Sequence, residues 1–474
     1  MVTLLPAERL IHIILGLSLT IFIIGLLLVA FVIGRRVKRD RDFKVLDHFR
    51  KQAQVILRGL FDHTLEYEEA LRKFQSLIKP RYRRAMEQIL IEESTNPELE
   101  TPLRRLAEDL GFVRIWQNRV QRSHRQEPGS RRRFWEDTVR RIRFLRFLTA
   151  ARSAENLGRI RHHKSWELLV RALHHHHRDV QTVALRSLAS IGEPQSFPAL
   201  VRQLRAAVGA QKPRLSEHAL KSALSRFPLN VAGQLLPLLQ DSNPRLRTLA
   251  LQILREMLAG EAARQKCALL AANLSFDLFD GALLQLTEDG NADVRAAAAD
   301  VLTFLKDERA GQALLKLSQD VEWFVRLHAV RALGEKGNGD SAPLLAKHLT
   351  DSHWRVREAA AHALMCCGEA GRDQLLSSFL STQDAYAQEQ IAEELQISGV
   401  ISELIERFSE KDALQELELI RKMIKIGKTS HIESLLCEQI DPPGREIILA
   451  ELARDPDPQV QIWVARLNNR CGTT

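Results

Sequence analysis

The sequence has few aromatic residues and few cysteines, and only modest numbers of glycine and proline. Aromatic residues make up 6% of the 474 residues, and there are 23 Gly and 16 Pro. No stretch shows the apolar–polar alternation that is typical of β-strands, so we predict an all-α chain. The cysteines have neither metal-site spacing nor the spacing of a disulfide framework, so buried free thiols in a reducing compartment are expected. They are Cys267, Cys366, Cys367, Cys437 and Cys471.

The local motifs of common enzyme classes are also missing. HExxH, GxSxG and paired CxxC do not occur. The one metal-like cluster is His174 to His177, with His162 and His163 upstream. Successive helical residues point about 100° apart, so four adjacent imidazoles cannot converge on one ion. We predict a solvated helix end there, with metal binding by His174 and His177 as the alternative. No catalytic residue, metal or cofactor is expected.

Charge is unevenly distributed along the chain, whose formal net charge is +9. Residues 35–178 carry 34 Lys and Arg against 19 Asp and Glu, whereas residues 179–474 carry 33 against 39. The basic excess therefore belongs to the first part of the chain. The acidic remainder disfavours nucleic acid as a partner, because nucleic-acid binding depends on many cationic contacts to phosphates.

An uncharged apolar run from Leu10 to Gly34 lies between Arg9 and Arg35. At about 1.5 Å per residue a helix of this length spans roughly 37 Å, enough to cross a bilayer. A cleaved signal peptide is the alternative, but its apolar region would be shorter and a small-residue cleavage site would follow. We predict a single-pass anchor at residues 10–34, with residues 1–9 outside.

Basic residues directly after this run predict that the bulk of the chain stays in the cytoplasm, at a bacterial inner membrane. They are also candidate contacts for anionic lipid headgroups. These residues are Arg35, Arg36, Lys38, Arg39 and Arg41.

Three further segments are predicted. Residues 35–121 form a basic, membrane-proximal helical module, in which Leu103 to Val120 is one helix. Residues 122–133 (RSHRQEPGSRRR) contain Pro, Gly and many charges, which is typical of a linker. Residues 134–474 form a repeat array with a C-terminal cap.

The array is clearest where one unit recurs every 31 residues. Val294, Val325 and Val356 are 31 residues apart, and Ala387 continues the step; we call these positions the valine column. Four residues later stand Ala298, Ala329, Ala360 and Ile391, and eight residues later Leu302, Leu333, Leu364 and Leu395. Gly337, Gly368 and Gly399 follow at twelve. This spacing places small and apolar residues on one helical face, and glycine suits the helix end.

The segments Val325-Arg326 to Gly337 and Val356-Arg357 to Gly368 resemble HEAT repeats, in the short bacterial subtype also found in phycobilisome lyases. The resemblance extends over roughly Arg140 to Gly472. It implies an α-solenoid of about ten stacked helix pairs. It says little about function, because such arrays serve scaffolds, lyases and DNA-repair enzymes alike.

Two sets of residues in the repeats are candidate partner contacts. Arg295, Arg326 and Arg357 each follow the valine column, and in a stack they would bond neighbouring turns or contact a partner. Trp323 and Trp354 are 31 residues apart, two positions before the column. Each tryptophan packs on a neighbouring turn or forms part of a row of aromatic anchors.

We therefore predict a non-catalytic, membrane-anchored scaffold that binds a protein partner on its repeats. The alternative is a nucleic-acid-binding, lyase or glycosylase type of HEAT protein. A glycosylase would need a basic groove and salt-sensitive DNA binding, and a lyase would hold a coloured bilin.

Overall fold

A computed structural model describes most of the chain. The described residues are 25–26, 28–31, 33–37, 47–78, 83–124, 136–211, 213–265, 277–305, 307–407, 414–440 and 442–471. These residues form helices joined by turns, and no strand occurs among them. The prediction of an all-α chain is confirmed for this part of the protein.

The chain divides into two compact units, Met1–Ser196 and Phe197–Thr474. The division lies inside the predicted array rather than at the predicted linker. Helix α5 continues to His124, so the first residues of that linker are helical. Most of the linker lies outside the described residues, and the predicted boundary there stays a prediction.

The first unit contains eight labelled helices after a helical segment within residues 25–37. They are α1 (47–61), α2 (Tyr67–Leu77), α3 (Arg83–Glu93), α4 (Glu100–Asp109), α5 (Phe112–His124), α6 (Glu136–Arg159), α7 (Trp166–Ala172) and α8 (Arg178–Ile191). The prediction of a single helix from Leu103 to Val120 is wrong. Gly111 has a φ of +73°, a left-handed conformation that ends α4 and lets the chain restart as α5.

The second unit continues as a series of helices packed on their neighbours. They are α9 (Phe197–Val208), α10 (Glu217–Leu224), α11 (Leu236–Leu239), α12 (Pro244–Gln265), α13 (Asp277–Leu286), α14 (Ala292–Leu302), α15 (Glu308–Leu317), α16 (Trp323–Lys336), α17 (Ala342–Lys347), α18 (Trp354–Cys366), α19 (Gly368–Ser381), α20 (Ala385–Ile397), α21 (Val400–Arg407), α22 (Leu414–Lys425), α23 (Ser430–Ser434), α24 (Pro442–Ala453) and α25 (Pro458–Cys471).

The valine column forms the buried seam of this unit. Helices α12, α14, α16, α18 and α20 pack in succession. Each of the last four carries one residue of the valine column. The residues of the column and those four positions later are fully buried, and the leucines eight positions later are at most 2% exposed. At Gly334 an added Cβ would lie 2.6 Å from the Cβ of Ala363, so the two helices approach backbone to backbone. The predicted stack of helices is confirmed here.

Glycines mark the helix ends that the sequence predicted. Gly337, Gly368 and Gly399 have φ values of +63°, +70° and +77°, in the region that only glycine enters without strain. The opposite ends are capped by polar side chains. Asn291 accepts hydrogen bonds from the first backbone N–H groups of α14, and Asp384 does the same for α20, which satisfies groups that lack partners within the helix.

The predicted membrane anchor falls mainly on residues outside the described ranges. Within those ranges, no helix combines the length and the apolar character that crossing a bilayer requires. The segment Leu10 to Gly34 is described only from Gly25 onward, so the anchor stays a prediction. Arg35 and Arg36 are described and exposed, whereas Lys38, Arg39 and Arg41 lie outside the described residues.

The expectation of buried free thiols is wrong at two described positions. Cys437 is part of a disulfide, and the free Cys366 is exposed. Cys367 is free and buried, and burial raises the pKa of its thiol. The spacing argument failed because a disulfide depends on three-dimensional proximity, which a sequence does not display.

Candidate functional site

The arginines that follow the valine column are bound within the chain. Arg295 donates to both carboxylate oxygens of Asp320, at 2.7 and 2.8 Å, and Arg326 donates to both oxygens of Asp351, each at 2.8 Å. Each carboxylate stands 25 residues after its arginine, in the turn before the next column helix. We call these pairs the arginine–aspartate ladder; Arg247 with Asp289 (2.8 Å) is an earlier rung.

Each ladder arginine also bonds to the turn that precedes its own helix. Arg295 donates to the carbonyl of Asp289 at 2.9 Å, and Arg326 donates to that of Asp320, also at 2.9 Å. A carbonyl six residues earlier is an acceptor in each case, and glutamines do the same at equivalent positions elsewhere. The further examples are Arg247 to Asp241, Arg357 to Asp351, Gln388 to Thr382 and Gln461 to Asp455. This recurring bond fixes the turn between the helices of one repeat.

The ladder pairs are largely shielded from solvent. The side chains of Arg326 and Asp351 are 13% and 7% exposed. Burial alone would raise the pKa of Asp351, but hydrogen bonds from Arg326 and from the backbone N–H of His353 hold it below its ordinary value. The hydrogen bonds to Asp351 raise the pKa of Arg326 in turn. Both groups are therefore charged at neutral pH, and breaking one leaves the other without its partner.

Arg357 ends the regular ladder. Thr382 stands where the next aspartate would be, 31 residues after Asp351. The guanidinium of Arg357 instead lies 5.6 Å from the ring of Tyr386, and its buried Nε has no hydrogen-bond partner. For Arg295 and Arg326, the contacts agree with the interpretation that they bond neighbouring turns. A role in contacting a partner stays a prediction for all three arginines.

The two predicted tryptophans lie together with two residues that sequence reasoning missed. Trp323 stacks on His353 with ring centroids 3.8 Å apart and an interplanar angle of 6°. The guanidinium carbon of Arg355 is 5.9 Å from the ring centroid of Trp323 and 5.2 Å from that of Trp354. We call Trp323, His353, Trp354 and Arg355 the indole–arginine patch.

Helix starts hold this patch in place. Trp323 and Trp354 are the first residues of α16 and α18. His353 is the N-cap of α18, and its Nδ1 accepts a hydrogen bond from the backbone N–H of Arg355 at 3.3 Å. The ring that caps one helix therefore also stacks on the first residue of the preceding column helix. Although stacked and capped, the patch stays accessible, since Trp354 is 53% exposed.

A groove along the column helices is a second feature that the sequence did not reveal. Two cavities of about 370 and 500 Å³ share Asp300 and His328. His328 Nδ1 lies 2.7 Å from an oxygen of Asp300, and Arg255 lies 3.7 Å from the other. The floor consists of small residues such as Ala297 and Ala363. Asp300 is paired with side chains on two neighbouring helices, and the free thiol of Cys366 lines the cavity of about 500 Å³.

The prediction of a solvated helix end holds for only part of the histidine cluster. His174 and His176 are exposed between α7 and α8, but His175 is 1% exposed. Its Nε2 is 3.3 Å from the carbonyl oxygen of Ser123, and its Nδ1 accepts from the backbone N–H of His177 at 3.0 Å. His177 stacks on Phe147. In the part of the chain that the structure describes, no three His, Cys, Asp or Glu side chains are grouped as metal ligands would be.

One buried carboxylate in the first unit holds three helices together. Glu87 on α3 is 5% exposed and accepts from Trp116 Nε1 at 2.6 Å, Asn156 Nδ2 at 2.9 Å and Arg119 Nη1 at 3.1 Å. Every one of these partners is an N–H donor, so the carboxylate is satisfied as an anion. It borders a cavity of about 620 Å³, but its bonds give it a structural role.

Comparison with known proteins agrees with this stack of helices. The family model described as HEAT repeats matches residues 147–221 and 312–396. These two segments are HEAT repeats. The second match includes α16, α18 and α20 and therefore the indole–arginine patch. No curated protein matches the sequence of this chain.

Several solved structures are similar to this chain at low identity. Kap121p bound to Nup53p has a TM-score of 0.45 and 15% identity, with 86% of this chain and 46% of that chain covered. Kap95p with RanGDP has a TM-score of 0.42 and 12% identity, with 90% and 62% covered. YibA of E. coli has a TM-score of 0.33 and 17% identity, with 63% and 98% covered. The chain spans less than half of that Kap121p chain, and none of these likenesses bears on function.

Proposed function

We propose that this protein is a non-catalytic scaffold that binds a protein partner on its HEAT repeats. The observation that carries the proposal is the exposed indole–arginine patch on the repeats of the second unit. Large aromatic residues left accessible beside a cation are typical of protein-binding surfaces. The buried ion pairs of the arginine–aspartate ladder hold the stacked helices together. This use of charged side chains agrees with a structural rather than a catalytic role.

The proposal includes a membrane anchor at residues 10–34, with the repeats on the cytoplasmic side. It is supported by the uncharged run from Leu10 to Gly34 and the basic cluster that follows, which would contact anionic headgroups through Arg35, Arg36, Lys38, Arg39 and Arg41. An anchored scaffold would act by raising the local concentration of its partner near the membrane.

The proposed cytoplasmic location of the repeats needs a direct test, because Cys437 forms a disulfide and disulfides persist mainly in oxidising compartments. The exposed thiol of Cys366 supplies the probe. In intact cells, a membrane-impermeant maleimide should leave Cys366 unlabelled and should label it after permeabilisation. Labelling in intact cells would place the repeats outside the cytoplasm.

Membrane attachment and partner binding are tested separately. We expect the full chain to sediment with membranes after a high-salt wash, and a variant lacking residues 1–34 to be released. For partner binding, a photo-cross-linking amino acid is placed at Val321 or Tyr386, which are 91% and 71% exposed, and at Val55 of α1, 68% exposed, as the matched control. Discrete cross-linked species from the repeats alone support the scaffold, and their absence at every position contradicts it.

The phycobilisome-lyase subtype and the nucleic-acid-binding alternative remain predictions of the sequence. The acidic balance of residues 179–474 gives no support to a phosphate-binding surface.

A further inference from the structure

The indole–arginine patch contains a cation that the fold leaves without an anion. Arg355 is exposed, and in the described part of the chain its guanidinium lies against two indole rings and forms no ion pair. Arg245 on α12 is the informative comparison, because it directly precedes the buried Leu246, as Arg355 directly precedes the buried Val356 of the valine column. Arg245 donates to Glu217 at 3.2 Å. The same position is thus paired in one repeat and open in another.

The aromatic rings set how this cation is presented. Stacking a guanidinium on aromatic faces uses the faces of the group and leaves its five N–H donors in the plane. Trp323 is held by His353, and His353 is held by its bond to the backbone of Arg355. The aromatic platform is therefore held in place, so less conformational entropy is lost when an acceptor binds beside it.

We propose that the indole–arginine patch binds a protein segment that carries an Asp or Glu side chain beside an apolar residue. The carboxylate accepts two hydrogen bonds from the open edge of Arg355, and the apolar neighbour packs on the exposed face of Trp354. The inference rests on the proposed scaffold function and names the chemistry of its partner.

The surroundings of the patch favour a carboxylate-bearing segment over a polyanion. Glu322 directly precedes Trp323, Glu358 follows Arg355 on α18, and both are exposed. A nucleic acid or an anionic bilayer needs several cations for useful affinity and would be repelled by these two glutamates. One carboxylate seated on one arginine carries a single charge and meets less of that repulsion than a polyanion, and the two indoles add apolar contact area that phosphate backbones do not use.

The test uses three fluorescein-labelled dodecapeptides and the full chain in detergent micelles. One peptide repeats Glu-Pro-Leu four times, and its counterparts replace every Glu with Gln or with Lys. We expect anisotropy titrations to show at least tenfold tighter binding of the Glu peptide than of the Gln peptide, and no saturable binding of the Lys peptide. Arg355→Gln should abolish the preference for Glu over Gln, and Arg355→Lys should retain part of it, because the charge remains but the planar fork is lost.

Two further variants separate the effect of the charge on Arg355 from the effects of apolar contact and of misfolding. Arg245→Gln removes an exposed arginine at the equivalent position and should leave the titrations unchanged. Trp354→Ala should weaken both the Glu and the Gln peptides, since it removes the apolar face, and Trp323 stays beside Arg355 to retain part of the preference for Glu. Far-UV circular dichroism of each variant should match the wild type, as expected for exposed side chains.

The outcomes distinguish this inference from the scaffold proposal. Equal binding of the Glu and Gln peptides, or an Arg355→Gln variant that keeps the preference, overturns the inference. If cross-linking at Val321 or Tyr386 still captures a discrete partner in that case, the scaffold stands with a different recognition chemistry. If the peptides behave as expected but no position gives a cross-link in cells, the scaffold proposal fails.

Discussion

Replacing Asp351 with Asn should loosen the contact between α16 and α18 more than any exposed charge substitution in the same unit. Asp351 accepts two hydrogen bonds from Arg326, each at 2.8 Å, and one from the backbone N–H of His353, also at 2.8 Å. Asn can keep the bond to the His353 backbone through its carbonyl oxygen. It cannot keep the second oxygen or the negative charge, so Arg326 becomes a largely buried cation without a counter-ion.

The magnitude follows from these contacts. A hydrogen bond to a charged group contributes about 1.5–3 kcal/mol, and one such bond is lost while the others weaken. Because Arg326 and Asp351 are 13% and 7% exposed, solvent screens the loss only partly. We expect a destabilisation of about 2 kcal/mol, which raises the local opening constant roughly thirtyfold.

Amide hydrogen exchange is the appropriate assay, because repeat arrays do not unfold in one cooperative step. At neutral pH, amide exchange in α16 and α18 should be roughly thirtyfold faster in the Asp351→Asn variant than in the wild type. Exchange in α1 to α5 should be unchanged. The matched control is Glu288→Gln, which neutralises an exposed carboxylate paired with Lys316 between repeats and should leave exchange as in the wild type.

The pH dependence follows from the lowered pKa of Asp351. Its contribution to stability is complete above the unfolded pKa of about 3.9 and is lost as the pH falls through the folded pKa. The wild type should therefore approach the variant as the pH is lowered from about 5 to 3. If Asp351→Asn changes exchange in α16 and α18 by less than threefold at neutral pH, the ladder does not stabilise the stack and the reasoning fails.

Two further substitutions test the packing of each unit. Gly334→Ala should destabilise the second unit by about 1–3 kcal/mol, because the new methyl group would overlap Ala363 at 2.6 Å. Gly311→Ala on α15 meets no atom within 4 Å and should be neutral or stabilising. Thermal unfolding followed by circular dichroism decides, and equal midpoints for the two variants would contradict the close approach of α16 and α18. Glu87→Gln should destabilise the first unit by about 2–4 kcal/mol, since it removes the negative charge that faces Arg119 and replaces Oε2, 3.4 Å from Arg119 Nη1, with a second N–H donor group. The change in tryptophan fluorescence should occur at a lower urea concentration than in the wild type. An unchanged urea midpoint would contradict the stabilising role of the hydrogen bonds to Glu87.

The repeat itself was readable from the sequence, for a physical reason. Stacked helices that bury the same face in every repeat need the same small or apolar residue at the same spacing. Val294, Val325 and Val356 therefore mark the seam directly, and the left-handed ends at Gly337 and Gly399 follow from a conformation that favours glycine. The tryptophans were also visible because they share the 31-residue step.

Tertiary contacts decided the features that no spacing reveals. His175 is buried, although four consecutive histidines suggest a solvated segment, because its ring finds acceptors and donors on neighbouring turns. The groove around Asp300 and His328 arises only where two helices from different repeats meet.

The sequence alone therefore determined the helical character of the described residues, the 31-residue step of the column helices and the tryptophans that share this step, since these depend on periodic burial. Only the tertiary structure decided that Arg326 is committed to Asp351 while Arg355 is left without a carboxylate. Both are arginines near the start of a column helix, and the difference depends on what the neighbouring turn supplies at hydrogen-bond distance.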